Sequence, residues 1–245
     1  MPDIPRASVI IPARDEGPVI GGTLTSLGPA LPPGCEVLVV VDDPADSTRP
    51  AVAAWAGPGP EVRCLVSSYG PGPANAIRYG LGAARAGVAL VTMADGSDDP
   101  AQAGPLISLV ESGAAVAAAS RYMPGGRRSG GPRLKGALSR AAGLSLYWLA
   151  RLGTRDATNS YKAYSVRFVR AAGIESARGF EVGLELTAKA RRHRLPVAEI
   201  PTAWRDRTVG VSKFRLGPWL PAYLRWYCYA LVPGRRAARA GRDRA

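Results

Sequence analysis

Short, nearly unbroken apolar runs alternate with helix-like stretches along this chain, and that alternation most restricts what it can fold into. SVIIP, EVLVVV, EVRCLV, VALVTM and AVAAAS are each strand-length. Between them lie segments of helical spacing: residues 17–27, a stretch ending near Trp55, ANAIRYGLGAARAG and PAQAGPLISLVES. Strands apolar on both faces must be covered on both faces, which a mostly parallel sheet between helical layers achieves. The expected class is α/β.

In such sheets ligands bind beyond the carboxyl ends of the strands. The carboxylates of the first half stand there: ARDE follows the first run, DDPAD the second and ADGSDD the run VALVTM. Asp95, Asp98 and Asp99 are hard oxygen ligands of the kind that hold Mg²⁺ or Mn²⁺ together with phosphate oxygens. The same cluster also suits a helix start, with Asp98 or Asp99 capping the segment that begins at Pro100. Ahead of ANAIRYGL, the stretch GPGP is either a tight turn or a backbone cradle for phosphate, with Asn75 and Arg78 on the first turns of the helix.

Charge separates the two halves. The 245-residue chain has a formal net charge of +13, with 6 Lys/Arg against 12 Asp/Glu in residues 1–112 and 26 against 7 in 113–245. An acidic half joined to a basic one suits a metal or donor site facing a site for an anion, whereas a simple basic solubilising surface would also account for the total. The three widely spaced cysteines suggest no disulfide framework or zinc cluster and fit a reducing, cytoplasmic compartment. The N-terminus reads as a first strand rather than a signal peptide, and no apolar stretch reaches the ~20 residues of a membrane span.

After Ser120 the texture changes to a glycine-rich basic loop, RYMPGGRRSGGPRLKG, long enough to be mobile, and then a helix of small and apolar residues. RDATNSYKAYS leads to helices near VRFVRAAGI and FEVGLELTAKARRHR, and PVAEIPTAW reads as a strand. His193, the only histidine, sits in KARRHR as a surface residue, and no Ser/His/Asp or Cys/His set offers covalent hydrolysis. Arg207, Lys213 and Arg215 flank TVGVS, where a glycine-hinged loop could bring cations onto a diphosphate. Trp219, Tyr223, Trp226 and Tyr227 form a helical stripe beside arginines, a pattern that suits either a core-facing helix or a membrane interface. Pro218 and Pro221 limit where that helix begins. The last ten or so residues, rich in Arg and Ala, read as a tail.

Taken in order, these blocks resemble the family 2 glycosyltransferases, and within them the dolichyl- or polyprenyl-phosphate mannosyltransferase type. SVIIPARDEG is similar to the family's opening strand and Pro-x-x-Asn-Glu segment, VLVVVDDPADST to its Val-Val-Asp-Asp-x-Ser-x-Asp-x-Thr, and GPGPANAIRYGLGAARAG to its Gly-x-Gly-x-Ala-x-Arg-x-Gly helix. VTMADGSDDP stands in the place of its Asp-Ala-Asp metal motif; SRY, GALSR, DATNSYKAYS, FEVGLELTAKARRHRLPVAEIPTAW and RDRTVGVSKF follow in the family's order.

The resemblance implies a GT-A type fold over residues 1–212 and a membrane-surface helix with basic tail over 213–245. It implies a nucleotide-sugar donor held by Pro12, Arg14, Glu16, Asp42 and Asp43, with Asp95 ligating a Mg²⁺ or Mn²⁺ ion assisted by Ser97 or Asp98. A polyprenyl-phosphate acceptor would be held by Arg121, Lys135 and Ser139, and Arg207 and Lys213 would stabilise the leaving diphosphate. Inverting transfer of a hexose, mannose first, to the lipid phosphate then needs no strong base, because the phosphate is already anionic. The protein would be cytoplasmic and peripheral at the inner face of the membrane, with no nucleic-acid partner.

Three positions depart from the family pattern: Met93 replaces its first Asp, Ser97 a common Gln and Ser160 a usual Gly. Two other readings stay open. A family 2 enzyme using a UDP-hexose and a glycan or glycolipid hydroxyl would need a carboxylate base, with Asp156 the first candidate. A non-catalytic basic module would bind anionic lipid or nucleic acid independently of Asp95.

Overall fold

The computed structural model describes residues 4–206 and 216–232. Its first half follows the expected alternation: β1 (Ser8–Pro12), α1 (Gly17–Leu27), β2 (Glu36–Val41), α2 (Thr48–Ala53), β3 (Glu61–Val66), α3 (Pro73–Ala83), β4 (Val88–Val91), α4 (Ala103–Glu111) and β5 (Val116–Ser120). Then come β6 (Arg127–Ser129), α5 (Arg133–Leu149), β7 (Lys162–Ser165), α6 (Val166–Ala172), α7 (Val182–Arg192), β8 (Val197–Pro201), β9 (Ala203–Arg205) and α8 (Leu216–Leu231).

Seven strands form one sheet in the order β3-β2-β1-β4-β7-β5-β8. Only β7 runs against the rest, antiparallel to both β4 and β5. The carboxyl ends of the other six therefore share one edge, and β7 begins at that same edge.

Alternation along each strand sends side chains to two separate cores. Val9, Ile11, Val37 and Val39 pack with Ile20, Leu24, Leu106 and Ile107 of α1 and α4. Ile10, Leu38 and Val40 pack on the other face with Ile77, Leu81, Phe168 and Leu186 of α3, α6 and α7. Gly80 lets α3 lie against the sheet, because a Cβ there would come within 2.5 Å of Ile10 Cγ2. Burying a side chain such as Ile10 contributes roughly 1.5–3 kcal/mol.

α8 closes a third cluster with α5 and α7, in which Trp226 packs among Leu146, Leu184 and Ala188. The aromatic stripe is thus turned inward: Trp226 is 2% exposed and Trp219 meets Phe180 edge-on with ring centroids 5.8 Å apart. Within the described residues this helix spans Leu216–Leu231, with Pro218 near the beginning of that span and Pro221 inside it. A proline in the first turn forfeits no intrahelical bond, and Pro221 forfeits one. The glycine-rich loop is also more ordered than its composition suggests. Its β6 pairs in parallel with β9, and the Arg128 guanidinium lies 5.3 Å from the Trp204 ring centroid.

Candidate active site

The loop after β1 is strapped to the start of α2. Asp15 adopts φ +50°, a region unfavourable to non-glycine residues, and its N–H is received by both oxygens of Asp46 at 3.1 and 2.9 Å. The Glu16 N–H donates to Thr48 Oγ1 at 3.0 Å, while Asp46 Oδ1 also accepts the Thr48 N–H at 2.7 Å. The two loops approach so closely that a Cβ on Gly17 would lie 2.6 Å from the Ser47 carbonyl oxygen. This strap fixes Arg14 and Glu16 beside buried Pro12, at the mouth of the sheet.

Asp42 and Asp43, at the end of β2, have different tasks. Asp42 Oδ2 accepts the Gly72 N–H at 2.8 Å, drawing the GPGP turn toward β2. Gly72 has φ +116°, and a Cβ there would sit 2.9 Å from the Arg178 carbonyl oxygen. Asp43 Oδ1 accepts the Ala45 N–H at 2.8 Å on the surface.

The acidic turn after β4 divides its aspartates. Asp99 caps the 3₁₀ turn Pro100–Gln102 through the Ala101 N–H, as a helix-start reading expects. Asp98 is buried, its Oδ2 accepting the Thr92 hydroxyl and the Met93 N–H, both at 3.0 Å. Burial raises its pKa to about 6 and the charge of Asp95 adds to the rise, against those hydrogen bonds and the positive charge of Arg121. Asp95 stays half-exposed, with Oδ1 accepting the Ser97 N–H at 3.1 Å.

Among the described residues no three His, Cys, Asp or Glu side chains converge as a metal cage. Mg²⁺ ordinarily uses one or two carboxylates plus substrate phosphates, so this donor set fits an ion that arrives with a diphosphate. Of the three aspartates of this turn, Asp95 would be the one to hold such an ion, since Asp98 is buried and Asp99 caps a turn. Asp98, turned inward, backs the turn, and Met93 contributes its N–H to that backing.

At the end of β5, Arg121 and Asp156 form a buried unit. Asp156 Oδ2 receives the Arg121 N–H at 2.9 Å and Nε at 2.7 Å, and Oδ1 receives Nη2 at 2.8 Å. Their side chains are 11% and 0% exposed. Burial opposes the guanidinium's charge, but the charge and hydrogen bonds of Asp156 outweigh it and raise the arginine's pKa. Nη2 also reaches Ser139 Oγ at 3.2 Å; Ser139 takes the Tyr122 hydroxyl at 3.1 Å and meets Thr158 Oγ1 at 2.7 Å. Lys135 lies four residues before Ser139 on α5, on the same face.

The acidic turn and the Arg121–Asp156 unit stand on either side of β7, so the ends of β4 and β5 lie about 10 Å apart, twice the strand spacing. Asp98 and Arg121 influence each other's proton affinity across this gap. Arg207 and Lys213 lie outside the described residues. The chain leading to them is placed, since the Arg205 N–H donates to the Ser97 carbonyl at 3.0 Å and the Asp206 N–H to the Ser129 carbonyl at 2.9 Å. It therefore departs from between the acidic turn and the glycine-rich loop.

Several residues of the site were not singled out from sequence. Asp46 and Thr48 lie within the DDPADST block, where spacing alone gave no reason to separate a strap from a surface turn. Tyr122, Thr158 and Trp204 carried no signal of their own, because what makes them relevant is the chain folding back between β5, α5 and β9.

Comparison with known proteins agrees with this arrangement. The family model described as Glycosyl transferase family 2 matches residues 8–172. The polyprenol monophosphomannose synthase of Mycolicibacterium smegmatis is 31% identical over 217 residues, covering 85% of this chain and 80% of that protein. Among solved structures, glucosyl-3-phosphoglycerate synthase from Mycobacterium tuberculosis in complex with phosphoglyceric acid superposes with a TM-score of 0.68 at 17% identity, over 92% of this chain and 79% of that one. The same enzyme with Mn²⁺ and UDP-glucose gives 0.68 at 19% identity, over 91% and 78%. These structural likenesses show the fold, which is of the GT-A type. By its family match and its identity to a curated relative, the chain is a glycosyltransferase and belongs to glycosyltransferase family 2.

Proposed function

We propose that this enzyme transfers a hexose, with mannose the first choice, from a nucleotide sugar to a polyprenyl phosphate, inverting the anomeric carbon. The observation that carries the reading is the engagement of Asp156. As the first candidate for a general base it has both oxygens bound to Arg121, so it is not poised to take a proton from a hydroxyl acceptor. The hydroxyls of Ser139 and Thr158 and the Arg121 guanidinium instead suit an anionic oxygen that needs no deprotonation. The 31% identical relative's name points the same way.

On this reading Pro12, Arg14, Glu16, Asp42 and Asp43 hold the nucleotide. The Asp46 strap and the Asp42–Gly72 bond keep the β1, β2 and β3 loops in register around it. Arg121, Ser139 and Lys135 fix the acceptor phosphate so that one oxygen lies in line with the anomeric carbon. Arg207 and Lys213 neutralise the leaving diphosphate, an electrostatic contribution commonly of a few kcal/mol per donor. A divalent cation, Mg²⁺ or Mn²⁺, held by Asp95 with Ser97 and Asp98 nearby, would supply Lewis-acid stabilisation of that diphosphate.

We place the acceptor end against a membrane surface. Among the described residues no helix is long and apolar enough to cross a membrane. However, α5 exposes Leu134, Leu138, Trp148 and Leu149, and α8 exposes Leu220, Leu224 and Leu231. Leu134 and Leu138 directly precede Lys135 and Ser139, and exposed Arg133, Arg140 and Arg225 lie on the same helices. An amphipathic surface of this kind suits an anionic lipid interface, consistent with residues 213–245 acting as a membrane-surface unit and with a peripheral, cytoplasmic-face location.

The test is incubation with radiolabelled GDP-mannose and a panel of UDP-hexoses, a polyprenyl phosphate and Mn²⁺ or Mg²⁺, followed by organic extraction. Label in the lipid phase is expected with GDP-mannose. Absence of lipid label with every donor would overturn the reading.

A further inference from the structure

Lys162 begins β7 in the middle of the sheet, opposite Val91 of β4 on one side and Ala118 of β5 on the other. A lysine ordinarily keeps its ammonium in water. Here the side chain is fully buried, and Nζ donates to the backbone carbonyls of Ala157, at 3.0 Å, and Asn159. Gly183 of α7 closes the other side, where a Cβ would lie 3.3 Å from Nζ and 3.6 Å from the Tyr164 hydroxyl.

The turn that Lys162 grips is the one that builds the acceptor cluster. Asp156 binds Arg121, Thr158 meets Ser139, and Asn159 Nδ2 donates to the Ala119 carbonyl at 2.9 Å. With its carbonyls drawn to the ammonium, the turn is held where Asp156 reaches Arg121 and Thr158 reaches Ser139. There is also an electrostatic consequence. Asp156 cancels the charge of Arg121, so the pair alone is neutral toward an incoming phosphate.

We propose that Lys162 is a positioning residue of the acceptor site: its ammonium clamps the turn of residues 156–159 and adds to the positive charge, that of Lys135 included, with which the Arg121–Ser139–Thr158 cluster holds a phosphate. The inference rests on reading that cluster as the acceptor-phosphate site. Burial lowers the ammonium's pKa from 10.5 to about 7; Asp156 opposes the fall and Arg121 adds to it. Among the described residues those two groups act on its charge, and the Tyr164 phenol lies nearby. The clamp is charged below about pH 7 and neutral above it.

The experiment is isothermal titration of the full chain with farnesyl phosphate in detergent from pH 6 to pH 9, for the native protein and Lys162→Met, with melting temperatures in parallel. Loss of the buried charge that holds the turn is expected to weaken native binding about tenfold across that range. The phosphate's own second ionisation acts in the opposite direction, so the sign is diagnostic. Lys162→Met is expected to bind weakly at pH 6, to lose the weakening toward pH 9 so that only the phosphate's own ionisation remains, and to leave nucleotide diphosphate binding within twofold. Native binding that is absent at pH 6, flat, or tighter at pH 9 overturns the inference, and so does equal binding by Lys162→Met. If the variant does not fold, the native pH series decides alone. Lipid labelling from nucleotide sugars, run beside it, tests the function separately: binding with the expected pH dependence but without transfer would keep the clamp and reject the transferase acceptor.

Discussion

Asp46 receives the backbone N–H of Asp15 through both carboxylate oxygens, at 3.1 and 2.9 Å, across 31 residues of sequence. A buried carboxylate thereby holds a backbone conformation that an L-residue resists. Replacing it strands the N–H groups of Asp15 and Thr48, a cost of about 1–3 kcal/mol. Asp46→Ala is expected to raise the donor KM at least tenfold and to leave the acceptor KM near native. Steady-state kinetics with each substrate varied separately checks this, and an unchanged donor KM would mean the strap is not needed.

Asp98 makes a prediction about pH. Its folded-state pKa is about 6, above the ordinary 3.8, so between these values the folded chain binds more protons than the unfolded one. Stability from the protonated carboxyl is fully present below about pH 4 and is lost as pH rises through 6. Asp98→Asn keeps an oxygen for Thr92 and Met93 and carries no charge to desolvate. In EDTA it is expected to be more stable than the native protein at pH 7.5, by about 2 kcal/mol, and about equal at pH 4. Denaturant titrations at the two pH values measure the difference; a variant less stable at pH 7.5 would refute the assignment.

Asp156 separates two roles. As partner of a buried guanidinium its loss is structural, about 3–5 kcal/mol for a residue that leaves the charge unpaired. Asp156→Asn retains one acceptor oxygen. It should lower the melting temperature and raise the acceptor KM while transfer continues at a reduced rate. Abolished turnover with a native melting temperature and native acceptor affinity would identify Asp156 as a base and favour a hydroxyl acceptor.

The sheet was legible because its strands are apolar on both faces and its carboxylates gather at their ends, two signals that depend only on local sequence. β7 was not legible. KAYS places a lysine where a central strand should be apolar, and only the inward carbonyls of Ala157 and Asn159 make that lysine tolerable. The acidic turn was half-legible. Spacing brought Asp95, Asp98 and Asp99 together but could not show that one stays half-exposed, one turns inward and one caps. The direction of the α8 stripe was undecidable for a related reason, since a helical period shows that a face is apolar and not what covers it.

That covering now distinguishes the two faces of the α5–α8 pair. Trp226 is inside, between α5 and α7, so Trp226→Ala should destabilise the fold by about 3–5 kcal/mol. Trp148, 72% exposed on α5, has little to lose on folding, and Trp148→Ser is expected to shift stability by no more than about 0.5 kcal/mol. Its effect should fall on lipid. In sedimentation with vesicles containing phosphatidylglycerol, Trp148→Ser combined with Leu138→Ser is expected to reduce bound protein several-fold. Transfer to farnesyl phosphate in detergent, where no bilayer need be approached, should be little changed. If the double variant sediments like the native protein, the exposed leucines are not the membrane contact, and the basic residues alone must account for any binding.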